Sequence, residues 1–461
     1  MRVHFIAIGG AVMHNLAIAL HKKGYLITGS DDEIFEPSLS RLDRYGLLPD
    51  KQGWDLQKIT PDLDTVILGM HARDGNHELE KARKLGLQIQ SFPEFLYEQT
   101  RDKTRVVIGG SHGKTTITSM IMHVLEFHDV SFDYMVGAIV EGFETMVGLS
   151  ESSEIAVFEG DEYLSSALDR RPKFHLYKPH VALISGIAWD HMNVFPTYEN
   201  YLEQFRIFID KTEQGGSLIY SVDDPEVTTL VKSSSRLLDY IPYRVHPNTI
   251  IEGKTYLLDD EKEMPVSVFG QHNMQNLNGA KVVCETLGIN NEMFYDAIQN
   301  FTGAGKRMQL LQENEQTTIY LDFAHAPSKV RATTSALKEQ YPERWLTAVL
   351  ELHTFSSLNA DFLPLYEATM LAADKAVVYF NPETVAHKKL PEITQDQINA
   401  AFKQPDLWVY NDAEKLVKDL LDSEWNGSNL LIMTSGNFDG QDLDALVKSI
   451  INQEDHDHPP D

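Results

Sequence analysis

The segment Gly110-Ser111-His112-Gly113-Lys114-Thr115-Thr116 follows a strand at Arg105–Ile108 and precedes the apolar stretch ITSMIMHVL. Glycines in such a turn let backbone N–H groups face phosphate oxygens, and the start of the next helix adds favourable partial charge. Lys114 can neutralise β- and γ-phosphates, and the Thr115 hydroxyl can ligate Mg2+. The long GxxxxGK[ST] spacing would need glycine at 108, where Ile108 stands, so the match is to the shorter GxxGKT form. A chance GKT on a glycine turn would lack this strand–loop–helix context.

Four further clusters stand out, three of them after an apolar run. Phe158-Glu159-Gly160-Asp161-Glu162-Tyr163 follows IAVF, where carboxylates can hold a second Mg2+; a solvated acidic turn is the plainer reading. Trp189-Asp190-His191-Met192-Asn193 follows VALISGIA, and His191 reads as a metal or phosphate contact or as a structural histidine. In Gly270-Gln271-His272-Asn273-Met274-Gln275-Asn276, Asn273 and Asn276 share one helix face. Their amides suit a purine edge or the capping of a helix start. Asp322-Phe323-Ala324-His325-Ala326-Pro327 sets an acid and a histidine after TIYL.

The elements that would carry these clusters alternate strand and helix, the pattern of βαβ units and parallel sheets. VHFIAIGG, YLITGSD and TVILGM read as strands, with helices at 11–23, PSLSRLDRYG and NHELEKARKLG. A second α/β region starts at RVVIGGSHGKTT, and a third near 310 with TTIYLDFAHAP, RWLTAVLEL, KAVVYF and NLLIMTS as strands. The fold class is therefore α/β in three domains: Rossmann-like at 1–102, P-loop ATPase-like at 103–308, and a mostly parallel α/β domain at 309–452. Residues 453–461 read as a disordered tail.

Length agrees, since 461 residues correspond to about three domains. The net charge of −28, from 40 basic and 68 acidic residues, argues against nucleic acid or an anionic membrane as partner. It leaves room for a small phosphorylated ligand in a pocket built from a few lysines, arginines and backbone amides. One cysteine, Cys284, excludes an intrachain disulfide and fits a reducing compartment. The N-terminal apolar run reads as a first strand rather than a secretory leader, and no stretch of about 18 apolar residues predicts a membrane span.

In order, the glycine turn near residue 10, GSHGKTT, EGDEY, DH, GQHNMQN, GKR and DFAHAP resemble the Mur ligase family of peptidoglycan synthesis, over all but the acidic tail. The resemblance implies a cytoplasmic, ATP-dependent amide ligase with Mg2+, acting on UDP-N-acetylmuramate and a peptide or amino-acid acceptor, as monomer or dimer. It implies three domains, for the UDP-sugar, ATP and the acceptor. A substrate carboxylate is phosphorylated to an acyl phosphate, which an amine then attacks. Two Mg2+ ions and a lysine would offset the charge repulsion.

Carried over by resemblance, Gly110, Ser111, His112, Gly113, Lys114, Thr115 and Thr116 cradle the phosphates. Thr115 holds one Mg2+, and Glu159 and His191 serve the other. Asn273 and Asn276 face the nucleotide, Arg307 meets the transferred phosphate, Asp322 bonds the ribose, and His325 lies near the adenine or the closing interface. Gly9 and Gly10, with Ser30 and Asp31, take the uridine diphosphate.

The chain departs from the family's pattern in places. No lysine stands at 192–210, so the subgroup with a carbamylated lysine is not implied. His14 occupies the third glycine position of a dinucleotide turn, and Met308 stands where a second arginine often follows Arg307. The segment Asp169-Arg170-Arg171-Pro172-Lys173-Phe174 resembles members that join UDP-N-acetylmuramate to a murein tripeptide in recycling; the alternative is the L-alanine-adding member. A tripeptide's carboxylates need cations. Around Leu352-His353-Thr354 neutral His353 is a weak anchor, so Lys329 or Arg331 would supply the charge. Two other readings are a regulatory nucleotide switch, which would not need the DFAHAP region, and a folylpolyglutamate synthetase-like ligase, which would not need the N-terminal α/β domain.

Overall fold

The computed structural model describes residues 1–70, 72–189, 194–260, 262–305 and 307–454. The chain divides into two compact units: Met1–Arg244 with Asn276–Ile298, and Val245–Gln275 with the chain from Gln299 onward. The first unit carries sheets on both sides of the expected boundary at 102/103. Residues 245–275, expected in the central domain, pack within the second unit.

The first sheet has four parallel strands in the order β2-β1-β3-β4: β1 (Arg2–Ile6), β2 (Leu26–Ser30), β3 (Thr65–Leu68) and β4 (Ile89–Ser91). β3 is wholly buried and β1 is buried beyond Arg2, as central parallel strands require. Helix Ala11–Lys22 follows β1 and buries Leu16, Ala17, Ile18 and Leu20. Helix Phe92–Gln99 follows β4 and opens with a capping box between Ser91 and Glu94.

The second sheet runs β11-β10-β9-β5-β8-β6-β7, from β5 (Thr104–Gly109), β6 (Phe132–Met135), β7 (Val147–Gly148), β8 (Ile155–Glu159), β9 (Val181–Ile184), β10 (Ser217–Ser221) and β11 (Asp239–Tyr243). All pairings are parallel except β6 with β7. The chain leaves β5 towards β6 on one side and later fills β8 and β9 against β5. The carboxyl ends of β8, β5 and β9 therefore lie side by side at the crevice where doubly wound sheets bind ligands. Buried Arg105 on β5 stitches the connection from the first sheet, donating to the carbonyls of Thr100, Arg101, Lys103 and Tyr177 at 2.8–3.2 Å. Asn15 Oδ1 accepts from Met146 N and Arg41 Nη2, each at 3.0 Å, tying the first helix to the region of β7.

In the second unit a small antiparallel sheet comprises β12 (Asn248–Ile251), β13 (Lys254–Asp259) and β14 (Lys262–Val266). Its first turn is the two-residue Glu252-Gly253, with φ of 49° and 73°, the backbone a tight hairpin demands. The main sheet runs β15-β16-β20-β17-β18-β19, from β15 (Gln309–Glu313), β16 (Thr318–Asp322), β17 (Trp345–Leu352), β18 (Lys375–Phe380), β19 (Trp408–Tyr410) and β20 (Ser428–Met433). It is parallel except for β15. Across the described residues the molecule is α/β with mostly parallel sheets, as its alternating pattern predicts, and no described helix is long and apolar enough to cross a membrane.

Candidate active site

The glycine loop joins β5 to helix Lys114–Phe127. Gly113 caps the helix with φ 76°, and Gly110 has φ 131°. A β-carbon on Gly113 would lie 2.1 Å from Asn276 Oδ1, and one on Gly110 would lie 2.1 Å from Ser185 Oγ. Only glycine satisfies both the backbone and the space here. Ser185 at the end of β9 donates its hydroxyl to the His112 carbonyl, and Ser111 N donates to Gly186 O at 2.9 Å.

Two acids from the end of β8 meet this loop. Glu162, 1% exposed in its side chain, accepts from Lys114 Nζ at 2.6 Å; the same ammonium donates to Gly110 O at 2.7 Å. Burial works against the charge on Lys114, but Glu162 and then Asp161 outweigh it and hold its pKa above the ordinary lysine value. Glu159 Oε1 accepts from the Thr115 hydroxyl at 3.0 Å and Oε2 from Gly137 N at 2.6 Å. Burial pushes the Glu159 carboxyl up, against the opposing pull of Lys114. The hydroxyl and the carboxylate, 3.0 Å apart beside the glycine loop, are hard oxygens of the kind Mg2+ prefers. Among the described residues no three His, Cys, Asp or Glu side chains form a metal cluster. His191 lies outside the described residues.

A buried relay supports the lysine from behind. Ala188 N donates to Ser111 Oγ at 2.9 Å, Ser111 and Tyr201 share a hydroxyl bond of 2.7 Å, and Tyr201 OH donates to Glu162 Oε1 at 3.1 Å. Tyr201 projects from helix Tyr198–Lys211, whose start is capped by Thr197. Asp161, next to Glu162, is ion-paired with Lys173, which outweighs burial and holds the Asp161 carboxyl below its ordinary range. Tyr201 belongs to this cluster without any motif to mark it, and Lys173, within the Asp169–Phe174 segment, has no place in the site on sequence alone.

The other expected residues gather at two further sites. In the first sheet Asp31, just beyond β2, accepts from Gly9 N at 2.7 Å, so that amide is committed to a carboxylate; Ser30 O accepts from Ala7 N and Ile8 N at 2.8 and 3.1 Å. His14 is buried, bonded to Gly10 O and Ser38 Oγ at 2.9 and 3.0 Å, and burial lowers its pKa. In the second unit Asp322 accepts from Met308 N and Ala324 N at 2.6 and 2.7 Å, and burial raises its pKa despite the opposing charge of Arg307. The Arg307 guanidinium lies 4.6 Å from the Phe323 ring, and His325 Nδ1 is 2.8 Å from Phe323 O. Asn273 Nδ2 donates to Phe269 O at 2.9 Å, within the turn that starts its helix.

The region expected to take the acceptor, at the carboxyl ends of β17 and β20, holds buried Glu351, bonded to the Thr434 hydroxyl and to Phe438 N, with His353 Nδ1 3.7 Å away. Arg331 donates to Glu367 O at 3.1 Å, and Lys329 acts electrostatically on Asp322.

Family models match along nearly the whole chain: the Mur ligase family catalytic domain at 2–104, the Mur ligase middle domain at 108–284, and the Mur ligase glutamate ligase domain at 306–438. The chain is similar to the UDP-N-acetylmuramate–L-alanyl-γ-D-glutamyl-meso-2,6-diaminoheptandioate ligase of Escherichia coli, with 27% identity covering 97% of this chain and 99% of the relative. It is 30% identical to the UDP-N-acetylmuramate–L-alanine ligase of Caldicellulosiruptor saccharolyticus, over 81% of this chain and 82% of the relative. The fold is similar to the crystal structure of a UDP-N-acetylmuramate–alanine ligase from Thermotoga maritima: TM-score 0.70, 19% identity, covering 99% of this chain and 100% of that one.

Proposed function

The chain belongs to the Mur ligase family of ATP-dependent amide ligases, and from that premise we propose that it joins UDP-N-acetylmuramate to the tripeptide L-alanyl-γ-D-glutamyl-meso-diaminopimelate. The observation that carries the choice of acceptor is end-to-end similarity to a ligase of that named specificity, over 97% of this chain. The Asp169–Phe174 segment quoted from the sequence supports the same choice.

In this reading residues 1–102 bind the UDP-sugar, 103–308 bind ATP and 309–452 bind the acceptor. Lys114 and the backbone of 110–116 take the ATP phosphates, a task its bonds to Glu162 and Gly110 O prepare by holding the ammonium beside the loop. Thr115 would hold one Mg2+, and Glu159 with His191 would hold the other; the two ions would offset the charge of the phosphates. The sugar's carboxylate oxygen attacks the γ-phosphorus and ADP leaves. The acceptor amine attacks the acyl carbon, the tetrahedral adduct expels phosphate, and the nitrogen sheds its proton. Gly9, Gly10, Ser30 and Asp31 serve the uridine diphosphate, with the Asp31 carboxylate on Gly9 N giving way to the ligand or bonding its ribose. Asn276 lies against the phosphate loop and Asn273 on the same helix, and Asp322, Arg307 and His325 serve the nucleotide. ATP and a nucleotide-linked precursor belong to the cytoplasm, where we place the reaction.

A second reading, addition of free L-alanine, has its own support in the 30% identity to an L-alanine ligase. ADP release decides between them. With UDP-N-acetylmuramate present, the tripeptide should drive turnover and L-alanine should not; preference for L-alanine overturns the assignment.

A further inference from the structure

Asp161 and Glu162 are consecutive, and each holds a lysine: Glu162 holds Lys114 at 2.6 Å, and Asp161 holds Lys173. Lys114 belongs to the phosphate loop. Lys173 has no such task, yet its side chain is only 14% exposed and its ammonium is led into the site. Nζ lies 5.6 Å from the centre of the Phe92 ring and 5.9 Å from that of Tyr163. Phe92 is the first residue of the helix that leaves β4, at the carboxyl end of the first sheet. Asp161 and Tyr163 lie just beyond β8, at the carboxyl end of the second. The ammonium therefore stands between residues that follow the carboxyl ends of a strand of each sheet, the ends at which such sheets bind ligands.

Its surroundings there are unequal. An ammonium has three donors, and among the described residues Asp161 is the only side chain hydrogen-bonded to it. The faces of Phe92 and Tyr163 attract a cation without taking a hydrogen bond. Beside it, Glu159, Asp161 and Glu162 put three acids around the loop against the two lysines. A second carboxylate entering this space from a substrate needs a cation that Lys114, engaged with phosphate, cannot be.

We propose that Lys173 receives the carboxylate of the UDP-sugar, holding it towards the phosphate loop, and that Asp161 aims the ammonium until the substrate arrives. This rests on the reading that the chain binds UDP-N-acetylmuramate. Lys173 thus chooses among UDP-sugars by the charge on the sugar, while the diphosphate and uridine are bound elsewhere.

The test compares two ligands by calorimetry: UDP-N-acetylmuramate and UDP-N-acetylglucosamine, which lacks the carboxylate. Wild type should bind the first more tightly. Lys173→Gln should weaken the first by about tenfold to a hundredfold, the range for a lost charge-assisted hydrogen bond, and leave the second unchanged. Lys173→Arg should keep part of the preference. The double variant Asp161→Asn, Lys173→Gln removes the acid stranded by the single change and should show the same lost preference. Binding of a non-hydrolysable ATP analogue, unchanged throughout, reports an intact loop. A preference that survives Lys173→Gln, or returns in the double variant, overturns the proposal. So does an equal loss for both sugars, which marks a merely structural pair. Wild type that binds neither UDP-sugar refutes the underlying reading instead.

Discussion

Lys114 is bonded to Glu162 and Gly110 O, which hold it close to where phosphates would sit, and Glu162 keeps it charged. Lys114→Ala should cut ADP release by at least about a hundredfold to a thousandfold, as loss of a preorganised charge does, with the circular dichroism spectrum unchanged. Wild-type turnover in that variant would refute the phosphate-loop role. Glu159→Gln keeps the size of the side chain but removes the charge, and its single amide oxygen can accept from only one of Thr115 and Gly137, so the Mg2+ concentration for half-maximal turnover should rise several-fold; an unchanged titration removes Glu159 from the metal site. His175 makes a pH prediction away from the chemistry. It is buried, stacked on Phe174, 2.7 Å from Gln204 O, and burial lowers its pKa to about 4. The folded state thus binds fewer protons than the unfolded state between pH about 4 and 6.5, and the stability this neutral histidine gives is lost as pH falls through that window. The full loss is up to about 3 kcal/mol. Urea melts of His175→Phe should show a shallower pH slope there than wild type; equal slopes would clear His175. Lys114, Thr115 and Glu159 could be found in the sequence because each sits at a fixed offset from a strand end. The Ser111–Tyr201–Glu162 relay and the Asp161–Lys173 pair could not, because their members lie on separate elements brought together only by the sheet order.

At the scale of elements, the strand–loop–helix around 104–127 is specified by its own residues. Apolar β5 is buried on both faces, two glycines take positive φ, and a helix starts at Lys114. Gly113→Ala should disturb more than a turn, since it strains a φ of 76° and drives a methyl group against Asn276. We expect about 1–3 kcal/mol lost in urea melts, and ATP-analogue binding weakened further than the loss of stability explains. A variant that binds nucleotide normally would show that the loop and the helix of Asn276 adjust freely. The parallel strands β1, β3, β5, β8, β9, β16, β17, β18 and β20 all announce themselves as short apolar runs. The sheet β12–β14 does not: NTII, KTYLLD and KEMPV are short, largely polar and half exposed, and their pairing depends on the Glu252-Gly253 backbone rather than on apolar alternation. Edge strand β4 is missed for the same reason, with only three residues and a single buried side chain.

At the scale of the molecule, the boundaries follow contacts that no local pattern reveals. Residues 245–275 continue a chain segment begun in the first unit, but Thr255 bonds Gln340 at 3.0 Å and Gln340 Nε2 bonds Gly253 O at 2.6 Å, so the segment packs with the second. Conversely, the first sheet and the phosphate-loop sheet share one compact unit, stitched by Arg105 and by Asn15. That grouping has a thermodynamic consequence. Chains of more than one compact unit often unfold in more than one step. Gly9, Asp31, Lys173 and Lys114 all lie in the first unit. A ligand that binds only a folded unit stabilises that unit by about 2.7 kcal/mol at a hundred times its dissociation constant, enough to move a melting temperature by several degrees. In scanning calorimetry UDP-N-acetylmuramate without ATP should therefore raise the transition of the first unit and leave the other in place. The transitions can be assigned beforehand with Arg105→Met, which strands buried carbonyls in the first unit alone and should lower its transition selectively. Equal movement of both transitions with the sugar nucleotide would mean that the second unit also holds it, and the division of substrates between the sheets would have to be redrawn.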